Sequence, residues 1–325
     1  MLLSGASLLA GACSKKESRL EMNFSDKFEG KTVELVSFED STILKSGIVS
    51  DGRLIFDNTD LLGAGPKLAQ VMIDGRVRAF LVVEEGTAQL ADTMSVAQGT
   101  PLNDRFLSLI GEMDSVENLN DMIKYTEFAE VKYNANKDNP LGTYFGVEWM
   151  KYAEPQRVDS MLREAPESFR SIPRVEKYAA FARLRAKTAP GQPFVDFSAT
   201  QPDGSVQTLA SFVRPGRYTL VDFWASWCPY CIKELPELKE LYSRYKEKGL
   251  DIVGVAVRDK VEDTEASVAK HGIDWDVLYN AQRIPYDIYG FSGIPHLMLI
   301  GPDGKIVARG ESAAQTATRL EAIFD

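Results

Sequence analysis

Cys228 and Cys231, separated by Pro229 and Tyr230, are the residues of this chain best suited to covalent chemistry. The run before them, Tyr218–Trp224 (YTLVDFW), is dense in β-branched and aromatic residues and reads as a buried strand. After them, Ile232, Leu235, Leu238, Tyr242 and Tyr245 recur at helical spacing. This order predicts Cys228 at a helix N-terminus, with Pro229 in the first turn, where its missing N–H has no intrahelical partner to lose. Unpaired amides and the helix dipole favour a thiolate there. A fall in thiol pKa from about 8.5 to about 7 raises the thiolate fraction at pH 7 from about 3% to about 50%, which makes Cys228 the candidate nucleophile. Cys231 lies one turn on, on the same face, within reach of a disulfide, and reads as the resolving thiol of an exchange reaction that needs no bound cofactor. Zinc is the competing use of paired cysteines. A closed structural site takes four ligands, normally with a second pair of Cys or His; with Cys13 assigned to the N-terminal segment, only His271 and His296 remain, so no metal site is expected.

The elements that position this pair belong to a multidomain chain. With 325 residues, 44% of them hydrophobic, there is more apolar material than one ordinary core uses, so at least two domains are predicted. A charged fraction of 26% and an aromatic fraction of 10% fit a soluble globular chain and exclude disorder, coiled coil and collagen. Forty-seven acids against 37 bases give a net charge of −10 with no basic stripe, so nucleic acid is not an expected partner. Three cysteines are too few for a disulfide scaffold.

Composition shifts at Thr188-Ala189-Pro190-Gly191-Gln192-Pro193, which predicts a boundary and a redox domain over residues 188–325. Within it, Pro202-Asp203-Gly204 and Pro302-Asp303-Gly304 each separate apolar runs and predict hairpins. Residues 21–95 alternate short apolar runs with turn residues. Ser50-Asp51-Gly52 and Asp74-Gly75 predict hairpins there, in a small antiparallel β domain built as a sandwich or partial barrel. Residues 96–187 turn to helical spacing. Phe106, Leu109, Ile110 and Met113 form one stripe and Phe145, Trp149 and Tyr152 another, with breaks at Pro140, Pro155, Pro166 and Pro173. The stripes read as core, and the segment as a helical connector.

The opening MLLSGASLLAGAC is small and apolar and is followed by the polar run Ser14-Lys15-Lys16-Glu17-Ser18. It resembles the signal peptide of bacterial lipoproteins, in which the cysteine becomes the acylated first residue of the mature chain. The resemblance implies lipidation at Cys13, a tether over residues 1–20, and an exported protein of the cell envelope facing the periplasm. The stretch is too short to span a bilayer, which takes about 20 apolar residues, so attachment would be through lipid.

VDFWASWCPYC, Pro236 inside the following helix, and Gly293-Ile294-Pro295 before a strand together resemble a thioredoxin-fold protein. The fuller succession APGQPFVDF, PDGSVQTLASF, FWASWCPYCIKELPEL and GIPHLMLIGPDGKIVARG is similar to the TlpA/ResA branch of membrane-tethered thiol-disulfide oxidoreductases, over Ala189 to Asp325. The front part resembles a β-rich domain of unknown function found in bacterial lipoproteins. The expected fold is therefore α/β, a thioredoxin-like C-terminal domain preceded by a small antiparallel β domain and a helical connector. The family implies a cis peptide before Pro295 that faces the cysteines, with the Ile294 backbone pairing with a substrate strand; Trp227, Pro229 and Tyr230 complete the contact surface. Asp222, inside the strand, matches the buried acid of thioredoxin. Burial there raises a carboxyl pKa, so Asp222 is read as proton acceptor for Cys231. Glu234, one turn beyond Cys231, matches an acid typical of the ResA-like branch. His296 reads as structural.

The expected reaction is dithiol–disulfide exchange with disulfide-bearing proteins, fed by an extracytoplasmic or membrane electron donor, and the family favours reduction. The Pro-Tyr dipeptide between the cysteines is that of glutaredoxins, which are more oxidising than thioredoxin by about 40 to 70 mV. Two alternatives stand beside this reading. A thiol peroxidase of peroxiredoxin type would carry Thr or Ser three residues before the attacking cysteine, where this chain has Ala225. A tethered, non-catalytic binding module would not depend on the cysteines.

Overall fold

The computed structural model describes residues 16–63, 65–117 and 122–325; Cys13, the expected lipidation site, lies outside them. The chain divides into two compact units. One comprises the described residues up to Tyr152 together with Ala165–Glu176, the other Ala153–Glu164 together with Lys177–Asp325.

The first unit contains two sheets. Strands β1 (Ser18–Asn23), β4 (Arg53–Asp57) and β7 (Gly86–Ala91) form one in the order β4-β1-β7, while β2 (Thr32–Ser37), β3 (Ile43–Ile48), β5 (Lys67–Ile73) and β6 (Arg76–Val83) form the other in the order β3-β2-β5-β6. Alternate residues of both sheets, among them Leu20, Met22, Val33, Leu35, Val71, Ile73, Leu81 and Leu90, share one core, which is the period of two expected of half-buried strands. The expected antiparallel domain is corrected in one pair, because β7 runs parallel to β1. The chain builds the whole second sheet between them and re-enters in the same direction. Strand β1 also begins at Ser18, inside the stretch read as tether.

Asp74 and Gly75 close the β5–β6 hairpin, both at positive φ (52° and 71°), the geometry that matches strand twist. Asp51 and Gly52 adopt the same conformation (52° and 67°), yet β3 and β4 belong to different sheets. The predicted hairpin turn at Ser50–Gly52 forms, with Ser50 and Arg53 exchanging both backbone hydrogen bonds at 3.0 Å, but the pairing stops there and the turn passes the chain from one sheet to the other.

The helices α1 (Pro101–Glu117), α2 (Met122–Ala135), α3 (Pro140–Tyr152), α4 (Pro155–Glu164), α5 (Glu167–Arg170) and α6 (Pro173–Lys187) follow. Pro101, Pro140, Pro155 and Pro173 each stand first in a helix, where the ring's fixed φ is already helical, and Pro166 directly precedes α5, so the breaks read at Pro140, Pro155, Pro166 and Pro173 fall between helices. The segment read as one connector does not form a body of its own, since α1–α3 belong to the first unit and α4 and most of α6 to the second. Phe106 and Phe145, read as core, are fully buried in edge-to-face contact with Tyr144, whereas Tyr152 is about half exposed and packs edge-on against Tyr125.

In the second unit, β8 (Ser198–Thr200) and β9 (Val206–Thr208) form a hairpin across Pro202-Asp203-Gly204. The main sheet has the order β12-β11-β10-β13-β14, with β10 (Tyr218–Trp224), β11 (Leu250–Ala256), β12 (Asp276–Leu278), β13 (His296–Ile300) and β14 (Ile306–Glu311). Strands β10, β11 and β12 are mutually parallel and β13 and β14 antiparallel, the last two joined across Pro302-Asp303-Gly304. Helices α7 (Pro229–Tyr245) and α10 (Ala313–Phe324) contribute to the core on one face and α9 (Ile284–Tyr289) to that on the other, with α8 (Val261–His271) between β11 and β12. Strand β10 is central and covered on both faces, as its near-continuous apolar run requires. Leu220 and Trp224 enter the α7 core, Val221 and Phe223 the opposite one, so Asp222 faces α7. This is the thioredoxin-like arrangement. Among the described residues no helix is long and apolar enough to cross a membrane.

Candidate active site

Strand β10 ends at Trp224, and Ala225–Trp227 carries the chain to Cys228, the N-cap of α7, with Pro229 first in the helix. Cys228 and Cys231 form a disulfide with Cα atoms 5.3 Å apart. The Cys231 backbone N–H donates to Cys228 Sγ at 3.1 Å, so one of the unpaired amides of the helix start already points at the sulfur that must carry negative charge. Both cysteines are buried, while Trp227 and Tyr230 are 52% and 68% exposed. The surface at the disulfide is thus aromatic.

The Ile294–Pro295 peptide is cis, and Ile294 O lies 3.8 Å from Cys228 Sγ. A disulfide sulfur has no proton to give; in the dithiol the Cys228 thiol can donate to that carbonyl. The Ile294 side chain packs against both cores of the unit, which anchors the loop while its backbone faces the sulfur.

Asp259 holds the cysteine loop and was not identifiable from the sequence. Its buried carboxylate accepts Ser226 N–H (2.6 Å), Ser226 Oγ–H (2.9 Å), Lys260 N–H (3.0 Å) and Thr264 Oγ1–H (3.0 Å). An acid just ahead of a helix is a recognisable capping signal, but nothing in the spacing joins it to Ser226. Next to it, Arg258 O accepts Trp227 Nε1–H at 2.9 Å, and the Arg258 guanidinium lies over both the Trp227 and Tyr286 rings. Arg258, Asn280 and Gln282 take left-handed φ values of 49°, 56° and 50°, uncommon for non-glycine residues. Together with Trp227 they line a cavity of about 440 Å³.

Asp222 is buried in mid-strand, and burial, reinforced by Glu234, pushes its carboxyl up to about 8. Burial also raises Glu234, against the Ala313 backbone N–H that it accepts, and Glu237 adds to the rise. Glu234 therefore acts on Asp222 across the β10–α7 layer. His296, first in β13, stacks on Phe291 with centroids 4.4 Å apart, and Arg309 approaches its Nε2 to 3.3 Å. Burial and the charges of Arg309 and Arg185 hold it well below its ordinary pKa. No cluster of three or more metal-ligating side chains occurs among the described residues.

The chain is 30% identical to the thiol-disulfide oxidoreductase ResA of Bacillus thuringiensis (strain Al Hakam) over 146 residues, which are 44% of this chain and 82% of that protein. This chain belongs to the ResA family of thiol-disulfide oxidoreductases. ResA of Geobacillus thermodenitrificans is 27% identical over 129 residues, 40% of this chain and 73% of its own. The AhpC/TSA family model matches residues 190–309, all within the second unit. Among solved structures, the thioredoxin domain of a thiol-disulfide oxidoreductase from Bacteroides vulgatus is 29% identical and covers 42% of this chain and 99% of its own, with a TM-score of 0.38. A thiol:disulfide interchange protein from Bacteroides sp. is 29% identical over 42% of this chain and 91% of its own, with a TM-score of 0.39. As a ResA-family member, the chain is a thiol-disulfide oxidoreductase.

Proposed function

We propose that the protein reduces disulfides of protein substrates outside the cytoplasm, tethered by lipid at Cys13, with the Cys228–Cys231 couple as its redox group. The observation that carries this reading is the setting of Cys228 Sγ, which accepts the Cys231 amide on one side and lies beside Ile294 O on the other. The Cys228 thiolate attacks one sulfur of a substrate disulfide, a mixed disulfide forms, and the other substrate sulfur leaves as thiolate. Cys231 loses its proton to Asp222 and attacks Cys228 Sγ; the Cys228–Cys231 bond forms and the second substrate thiolate departs. Two electrons have passed to the substrate, and an external dithiol must return them. Ile294 offers backbone to an extended substrate segment, with Pro295, Pro229, Trp227 and Tyr230 as its contact surface. Glu234 tunes Asp222.

Equilibration of the couple against glutathione and dithiothreitol buffers tests the direction. A potential near that of thioredoxin, about −270 mV, agrees with a reductant, and one near about −120 mV would make the protein a disulfide donor. The AhpC/TSA match brings the peroxidase alternative into the same experiment. The position three before Cys228 is Ala225, buried and without a hydroxyl, so oxidation of the dithiol by hydroperoxide should be slow relative to a protein disulfide.

A further inference from the structure

Trp224 and Trp275 are both buried, and neither indole N–H has a hydrogen-bond partner. A buried donor left unpaired is costly, so two together call for a reason. Both aim at one place. A Cβ added to Gly254 would lie 2.9 Å from Trp224 Nε1 and 3.4 Å from Trp275 Nε1. Gly254 on β11 is the register partner of Asp222 on β10, and adjacent strands run about 4.8 Å apart. Trp224 follows Asp222 by two residues on the same strand and shares its face. Two donors without acceptors thus converge over the register partner of Asp222, on the face that carries its buried carboxyl, a group that is acceptor-only once ionised.

We propose that Trp224 and Trp275 are positioning residues for the exchange reaction, their indole N–H groups receiving the Asp222 carboxylate while it is charged, with glycine at 254 letting both indole edges reach the strand. In the neutral acid the donors wait; when Asp222 is the base for Cys231, they supply the hydrogen bonds that water supplies to an exposed carboxylate. The other groups facing Asp222 are Glu234 and Cys231 on α7. The flanking strands present Ile252 and Leu297 there; farther out Glu311 of β14 is paired with Arg319 of α10, and Asp274, next to Trp275, is exposed. This inference rests on Asp222 being the proton acceptor for Cys231.

The test is the pH–rate profile for reduction of a protein disulfide by the full chain, with Trp275→Phe, Gly254→Ala, Asp222→Asn and the Asp222→Asn/Trp275→Phe double variant. Loss of a donor should leave threefold to tenfold less ionised Asp222 at a given pH, an upward displacement of the inflection by about half a unit to one unit. The double variant should match Asp222→Asn alone. Gly254→Ala, which forces the indole edges off the strand, should displace the inflection in the same direction and serves if Trp275→Phe does not fold. An inflection unmoved in Trp275→Phe and Gly254→Ala but abolished by Asp222→Asn overturns the donor pair and leaves Asp222 as the base. Persistence of the inflection in Asp222→Asn overturns Asp222 as the base and the donor pair with it. A uniform fall in rate without displacement means packing alone and also overturns the proposal.

Discussion

Arg309 Nη2 lies 3.3 Å from His296 Nε2. A guanidinium has donors only, so the imidazole nitrogen accepts, and the His296 proton sits on Nδ1. The residue beside Pro295 is therefore a neutral ring fixed by a half-buried cation. Nitrogen NMR should find His296 as the Nδ1–H tautomer well below pH 6.5. Its native pKa lies below its unfolded value of about 6.5, so the unfolded state binds the extra proton first, and this residue's contribution to stability is lost as pH falls below that value. Denaturant titrations of His296→Gln should lack that acid-side loss; an unchanged pH dependence would count against the assignment.

Arg309 also donates to Thr188 O at 3.3 Å, to Thr188 Oγ1 and to Tyr289 O at 2.7 Å, while Arg185 reaches Gly290 O at 3.4 Å. The last turn of α6 therefore belongs to the redox domain physically, although composition places the boundary at residue 188. A Cβ on Gly290 would meet Phe181 O at 2.3 Å, which shows how close the α6 backbone comes. A fragment starting at Ala189 should be less stable than one starting at Lys177 by about 2–4 kcal/mol, since hydrogen bonds to charged groups contribute about 1.5–3 kcal/mol each. Equal urea midpoints for the two fragments would contradict this.

Asp222 makes the opposite contribution to pH dependence. Its native pKa of about 8 exceeds the unfolded value of about 3.9, so the native state holds a proton that the unfolded state has lost between those limits. Stability of the oxidised protein should fall with rising pH by up to about 1.4 kcal/mol per unit in that window. Asp222→Asn should remove the slope and be the more stable protein at pH 8, with slower disulfide reduction.

Asp259→Ala removes the acceptor for Ser226 N–H and leaves Thr264 Oγ1 with Lys260 O as its acceptor. Loss of about 2–3 kcal/mol is expected from the buried donors it strands, together with a slower attack by Cys228, because the loop leading to the N-cap loses its tie. Asp259→Asn, with an oxygen still available, should recover part of both.

Cys231→Ser should accumulate a mixed disulfide with substrate, detectable by non-reducing electrophoresis and mass spectrometry, whereas Cys228→Ser should trap none. The reverse pattern would exchange the roles of attacking and resolving thiol.

The chemistry was legible in the chain because it depends on local order. A strand rich in β-branched and aromatic residues, two cysteines one turn apart and a proline suited to a helix start place a thiolate at a helix N-terminus whatever surrounds them, and the alternation of β10 turns Asp222 towards α7. Residues that act through long-range pairing were not legible. Asp259 meets Ser226 across 33 positions of sequence, and Trp224 and Trp275 meet over Gly254 because three separate elements converge there. Turn chemistry was equally ambiguous. Asp51-Gly52 and Asp74-Gly75 have the same backbone conformation, yet pairing across the first stops at Ser50 and Arg53 while the second joins two full strands of one sheet, since which sheet a strand joins depends on apolar faces remote from the turn. The division of the helices between two units, the parallel β1–β7 pair and the tie from Arg309 to Thr188 were likewise decided by tertiary packing, where a buried donor takes whichever acceptor the fold brings within about 3 Å.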